Sequence, residues 1–239
     1  IKVGINSDFA IAAVLGICSK ESSFSLVAEG FNYKASALPK VFKYFKRNDP
    51  VKNGFVNPKT LRSDSQKYQE KLANTLYGAK PHGARSVDEA YGNTEKGDGW
   101  KYRGRGYNQI TFKAAYAKAA KRTGVDLINF PDKMLDETTA AKALVGYFHA
   151  CRKVRKFGNK KSGFQSPEEA YGTTDKGSTF KTLKNAVFFY YHLNAGAGKS
   201  VPEVKAKLDP KDPLKGMIKS QQRAPAFVDY IRSAFKGKG

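Results

Sequence analysis

Ten consecutive residues, Phe9 to Cys18 (FAIAAVLGIC), carry no charged or strongly polar side chain. A helix of this composition has no face to give to water and must be surrounded by protein on all sides. Asn6, Ser7 and Asp8 stand before it as cap residues and place its start near residue 8. The rest of the chain has to be arranged around that segment. It runs into Lys20-Glu21-Ser22-Ser23, which sets a carboxylate at the negative end of the helix dipole, a position unfavourable by roughly 0.3 kcal/mol or more. A second carboxylate, Glu29, follows eight residues later and leads into Gly30-Phe31-Asn32-Tyr33. Two solvated glutamates flanking a turn are the plain explanation, because most glutamates face water. A carboxylate pair placed by a buried helix is the other.

The remaining periodicity predicts a mainly α fold. Leu38, Val41, Phe42 and Phe45 fall on one stripe and predict a helix over 35–45 with Pro39 in its first turn. Tyr68, Leu72 and Leu76 predict a helix over 65–77, capped by Ser63 or Asp64. A helix over 111–124 ends at Gly124. Another follows Pro131, capped by Asp136, with Ala140, Ala143, Leu144, Tyr147 and Phe148 on its apolar side. Helices are also expected over 182–193 and near 215–235. Residues 22–33 read as a turn or short hairpin, and strand signals elsewhere are short and bounded by glycine. Ser86–Lys101 (SVDEAYGNTEKGDGWK) and Ser166–Lys181 (SPEEAYGTTDKGSTFK) match at nine of sixteen positions. They read as a duplicated turn or hairpin bracketing a cleft, or as a chance likeness of two turns.

With 40% hydrophobic and 13% aromatic residues, the 239-residue chain can bury a core and is not of disordered composition. Its 43 Lys and Arg against 21 Asp and Glu give a formal charge of +22, a field that attracts nucleic acid, anionic lipid or an acidic wall polymer. The basic residues are dispersed, with no block of five or six, which argues against a nucleic-acid tail. No apolar run reaches 18 residues, so no transmembrane segment is expected, and no signal peptide is visible. The chain begins at Ile1 rather than Met and reads as part of a longer or processed protein. Cys18 and Cys151 both lie in apolar segments; two buried thiols are the simpler reading and one disulfide the alternative. His82, His149 and His192 are too scattered for a metal motif, so neither metal nor cofactor is expected.

Two carboxylates at one cleft are the minimum needed to hydrolyse a glycosidic bond: one protonated to donate to the leaving oxygen, one ionised to act as base or nucleophile. Glu21, beside the buried helix and Phe24, is the better acid, because burial disfavours the charged form; Glu29, in a looser polar stretch, is the better base. On one straight helix they would be about 12 Å apart, so the intervening turn has to fold back. The block Gly97–Thr111 (GDGWKYRGRGYNQIT) offers more of a sugar site. Trp100, Tyr102 and Tyr107 supply rings for sugar faces, Gln109 and Thr111 supply an amide and a hydroxyl, and Gly104 and Gly106 allow close backbone approach. RGRG alone also occurs in RNA-binding segments, and no GxxxxGK[ST] follows to make a phosphate loop.

Taken in order, these blocks resemble glycoside hydrolase family 19, the chitinases and endolysins, and in particular its phage endolysin branch. ICSKESSF resembles the helix end that carries the family's catalytic acid, which falls on Glu21. EGFNYKASALPKVFKYF resembles the following block and places the base on Glu29, with Tyr33 as a sugar contact. GDGWKYRGRGYNQIT is close to the family signature and implies substrate contacts at Tyr102 and Gln109, and a water-holding role for Thr111. LNAG resembles the family's Asn-Gly-Gly and makes Asn194 a sugar contact; Gln221-Gln222-Arg223 resembles a later block and adds Arg223. The chain departs from the family at Lys20 (usually His), Phe112 (often Gly), Ala115 (often Asn) and Ala195, and residues 79–90 read as an insertion.

The resemblance covers about residues 8–230 and implies one catalytic domain over 1–239 with a basic flexible tail at 236–239. It implies a mainly α, lysozyme-like two-lobed fold with small β-hairpins flanking a substrate cleft. The implied activity is inverting hydrolysis of β-1,4 bonds between amino sugars. Bacterial peptidoglycan, with its anionic wall surface, is the expected partner of so basic a monomer; nucleic acid is not. Such an enzyme would be made in a host cytoplasm and act on the wall, in the periplasm or outside, either free or carried by a virion. Chitin hydrolysis is the alternative activity, although a neutral polymer gives the charge no use, and a non-catalytic wall or nucleic-acid binding module is the alternative of another class.

Overall fold

A computed structural model of the protein describes Cys18, Ser22 and residues 25–150, with side-chain surroundings given to Tyr147. These residues are rich in helix: α1 (Leu38–Val41), α2 (Gln66–Tyr77), α3 (Asp98–Lys101), α4 (Lys113–Thr123) and α5 (Glu137–Ala150), with 3₁₀ turns at Ala35–Ala37, Lys43–Lys46 and Pro131–Leu135. Extended pairing among them is confined to isolated bridges, such as Arg105 with Ile110 and Asn57 with Arg62. The described part is thus mainly α, as the periodicity predicts. No helix among the described residues is long and apolar enough to cross a membrane. The chain divides into two compact units. One comprises residues 28–105 and 110–133, the other residues 1–27, 106–109 and 134–239.

The core of the first unit is aromatic. Phe31, Leu38, Phe45, Phe55, Val56, Leu72, Ala73 and Leu76 are buried together, with Tyr33, Phe42, Tyr44, Tyr77 and Trp100 packed against them. The rings meet edge to face: Phe45 with Phe55 and Tyr44 with Phe45, each at 5.0 Å. That arrangement sets the positive rim of one ring against the negative face of the next. α2 supplies Leu72, Ala73 and Leu76 to this core. It starts at Ser65, whose carbonyl accepts from Tyr68 and Gln69, not at Ser63 or Asp64. Ser63 is instead buried, its hydroxyl donating to the carbonyl of Phe31 and accepting from the N–H of Tyr33 at 2.7 Å. α3 lies directly on α2. A Cβ at Gly99 would come within 2.5 Å of the Ala73 carbonyl oxygen, and the Trp100 N–H donates to Asn74 Oδ1 at 2.8 Å.

The helix expected over 35–45 is broken. Phe42 is extended (φ −122°, ψ 124°), separating α1 from the 3₁₀ turn that follows. The break lets Phe42 pack on Tyr33 at 5.4 Å while Leu38 and Phe45 both stay inside, and it turns Val41 out to 55% exposure. Residues 25–33 have no regular secondary structure, and the first copy of the repeat is a series of turns ending in α3. α4 ends where Gly124 takes φ +72°, as expected of a C-terminal glycine.

In the second unit, Asp136 caps α5 by accepting from the Thr139 N–H at 2.8 Å. The hydrogen bonds to Asp136 hold its carboxyl below the usual carboxylate range. Ala140, Ala141, Ala143, Leu144 and Val145 are buried, whereas Tyr147, expected on the apolar side, is 51% exposed. Cys18 is buried and helical, and Ser22 Oγ lies 3.0 Å from both the Cys18 and Tyr107 carbonyls, to which it donates. Cys151 and the second copy of the repeat lie outside the described residues, as do the helices expected beyond residue 150.

Candidate active site

Glu29 is half-buried on an irregular segment, and its position is fixed from two directions. Its backbone N–H donates to the Gly104 carbonyl at 2.8 Å, and the Gly104 N–H donates back to Glu29 Oε2 at 3.1 Å. The other carboxylate oxygen, Oε1, accepts from the Tyr77 hydroxyl at 2.8 Å. The RGRG block thus serves Glu29 through its backbone, and the C-terminal residue of α2 serves it through a phenol. Each carboxylate oxygen has lone pairs left for a water or a sugar hydroxyl. Burial, and then the Glu29 charge, push the Tyr77 phenol far above its ordinary value, so Tyr77 remains a protonated donor. The Tyr33 phenol is raised for the same two reasons, in the same order.

The ring of Tyr77 is itself held. Phe31 meets it edge to face at 5.6 Å and Phe112 at 5.3 Å, and the Arg85 guanidinium lies 5.8 Å over it. Asn93, fully buried, donates to the Tyr77 carbonyl at 3.1 Å and accepts from the Lys113 N–H at 2.8 Å, tying the end of α2 to the start of α4.

The two arginines of RGRG do different work. Arg105 is 2% exposed. Its Nε and Nη2 reach Asp132 Oδ1 at 2.8 and 2.7 Å, and its Nη1 donates to the Lys101 carbonyl and to Tyr116 Oη at 2.8 and 3.0 Å. A guanidinium so enclosed is a structural knot and offers nothing to a polyanion. Arg103 lies 3.6 Å over the Trp100 ring and donates to the Trp100 carbonyl at 2.9 Å. Burial, and then the neighbouring Arg105 charge, lower its pKa.

Tyr102 and Tyr107 are each 1% exposed, so neither presents a ring face to a sugar. The Tyr102 hydroxyl donates to the Ile128 carbonyl at 3.0 Å, and its backbone carbonyl accepts from the Phe112 N–H at 2.9 Å. Tyr102 therefore braces the segment carrying Thr111, which is half-buried directly after the Arg105–Ile110 bridge. Gln109, in the other unit, has φ +48° and donates through Nε2 to the Gly106 carbonyl at 3.0 Å and the Val27 carbonyl at 3.3 Å. Glu21, Asn194 and Arg223 lie outside the described residues.

Among the described residues, Glu29, Tyr33, Tyr77 and Gly104 are what the structure gathers. Tyr77 was missed from the sequence because it falls beside the Tyr68-Leu72-Leu76 stripe, where an aromatic reads as core. No group of His, Cys, Asp and Glu among the described residues is arranged to hold a metal. A surface depression of about 430 Å3, lined by Tyr44, Thr75, Lys80 and His82 among others, includes none of the expected site residues.

No family model matches the chain. Over 127 residues, 53% of its length, it is 32% identical to a glycosyl hydrolase family 19 domain-containing protein of Haemophilus influenzae. The match covers 54% of that protein, so the chain spans about half the length of the curated relative it matches. The chain is thus similar, over about half of each sequence, to a protein carrying a family 19 glycosyl hydrolase domain, a likeness that supports a glycoside hydrolase in general.

Proposed function

We propose that the protein is a peptidoglycan-degrading glycosidase of endolysin type that hydrolyses β-1,4 bonds between amino sugars with inversion. Glu29 is the general base, drawing a proton from a water on one face of the sugar ring. Glu21 is the acid that protonates the leaving oxygen on the other, and Thr111 holds the water. Tyr33, Gln109, Asn194 and Arg223 contact the sugars, and Tyr102 acts through the segment it braces. The two carboxyl groups must stand about 6.5–9.5 Å apart to admit the water, across the cleft of a two-lobed, hairpin-flanked fold.

The observation that carries this reading is the setting of Glu29. A carboxylate held by one phenol and one backbone N–H, with lone pairs to spare, is oriented to take a proton from a third partner. The +22 charge gives such an enzyme a reason to favour an anionic wall over neutral chitin. The enclosure of Arg105 removes half of the RGRG support for a nucleic-acid binder. The protein would act as a monomer on the wall, reached from the periplasm or from outside.

The test is digestion of purified peptidoglycan and of chitin, followed by NMR of the new reducing ends. The reading expects wall fragments released initially as the inverted anomer and little release from chitin. Initial release of the retained anomer would overturn the mechanism, and faster release from chitin the substrate.

A further inference from the structure

We propose that Tyr91 and Phe112 form an aromatic platform on which the glycan strand stacks beyond the bond at Glu29; this rests on the reading of the site as a glycosidase. Tyr91 is 58% exposed, and Phe112 beside it is half-buried. Both have a positive φ, +45° and +75°, which bulky L residues rarely adopt. Residues kept at positive φ by their surroundings cluster at sites of function. Here the surroundings are explicit. The Ala114 N–H donates to the Tyr91 carbonyl at 3.0 Å, and the Phe112 N–H to the Tyr102 carbonyl at 2.9 Å.

The platform is continuous with the site. The Tyr91 ring lies 5.2 Å from that of Phe112, Phe112 lies 5.3 Å from Tyr77, and the Tyr77 hydroxyl rests on Glu29. Phe112 also adjoins Thr111 in the chain. On one side the Arg85 guanidinium lies 5.2 Å over Phe112, held by the Leu76 carbonyl at 2.5 Å and the Glu89 carbonyl at 3.2 Å. One exposed ring, Tyr91, set at 60° to the half-buried Phe112, leading to a carboxylate and flanked by a fixed cation, suits a pyranose strand. Its C–H faces stack on the rings while its acidic substituents meet the arginine.

The test measures binding rather than turnover. Glycan strands from peptidoglycan, stripped of their peptides and graded by length, are titrated calorimetrically into Glu29→Gln protein, alone and with Tyr91→Ala or Tyr91→Phe. The platform predicts that Tyr91→Ala weakens the longest strands about tenfold, with a loss that grows with length, and that Tyr91→Phe restores binding. Equal affinity of Tyr91→Ala and its parent, or no strand binding by the parent, would overturn the platform. Tyr91-dependent binding by wild type that releases no reducing ends would overturn hydrolysis and leave the platform standing.

Discussion

At the scale of single residues, Glu29 is defined by what donates to it. Tyr77→Phe removes the hydroxyl 2.8 Å from Oε1 and leaves the ring among Phe31, Phe112 and Arg85. A lost hydrogen bond to a charged group is worth about 1.5–3 kcal/mol. Turnover of wall substrate by Tyr77→Phe should fall in kcat because Glu29 loses the donor that orients Oε1, with KM little changed. An unchanged kcat would show that the phenol does not support the base. Buried phenols also set an alkaline limit. Burial pushes Tyr116 up to about 12, and Tyr33, Tyr77 and Tyr107 are raised in the same direction. A group whose folded pKa exceeds its unfolded value, about 10 for tyrosine, keeps its proton in the folded state after the unfolded chain has lost it. Its contribution is complete below pH about 10 and is lost as pH rises through about 12. Melting temperature should fall over that window, and absorbance titration should show these phenols ionising only as the fold opens. What the sequence exposed at this scale was the carboxylate and its block. Its phenolic partner is 48 residues away and is chosen by packing, which no spacing rule registers. For the same reason the sequence does not register that Tyr102, expected at a sugar, is buried with its hydroxyl on the Ile128 carbonyl.

At the scale of elements, α2, α4 and the capped start of α5 were legible because each has its own local signal: an apolar stripe, the terminal Gly124, and Asp136 three residues before Thr139. The broken helix over 35–45 was not, because a stripe of apolar residues fits a continuous helix as well as one reset by an extended Phe42. The contact between α2 and α3 depends on a missing side chain. Gly99→Ala would drive a methyl to within 2.5 Å of the Ala73 carbonyl oxygen and 2.6 Å of the Asn74 Cα, both backbone atoms. We expect a loss of about 1–3 kcal/mol in urea unfolding. Full stability in that variant would mean that the two helices separate without cost. Asp136→Ala, which removes only the cap of α5, should cost about 1 kcal/mol.

At the scale of the whole molecule, the formal charge of +22 acts over distances that salt controls. The screening length is about 10 Å at 0.1 M salt and about 3 Å at 1 M, so lysis driven by attraction to an anionic wall should slow steeply across that range. A rate indifferent to salt would remove the charge from the account. The measurement that bears most directly on the central claim is release of new reducing ends from purified peptidoglycan by wild type, Glu29→Gln and Glu21→Gln, each checked for retained folding and wall binding. The account predicts release by wild type, a fall of at least about a hundredfold in both variants, and binding intact in all three. Release by Glu29→Gln at the wild-type rate would contradict it, because the carboxylate that Tyr77 and Gly104 hold in place would then have no part in the chemistry.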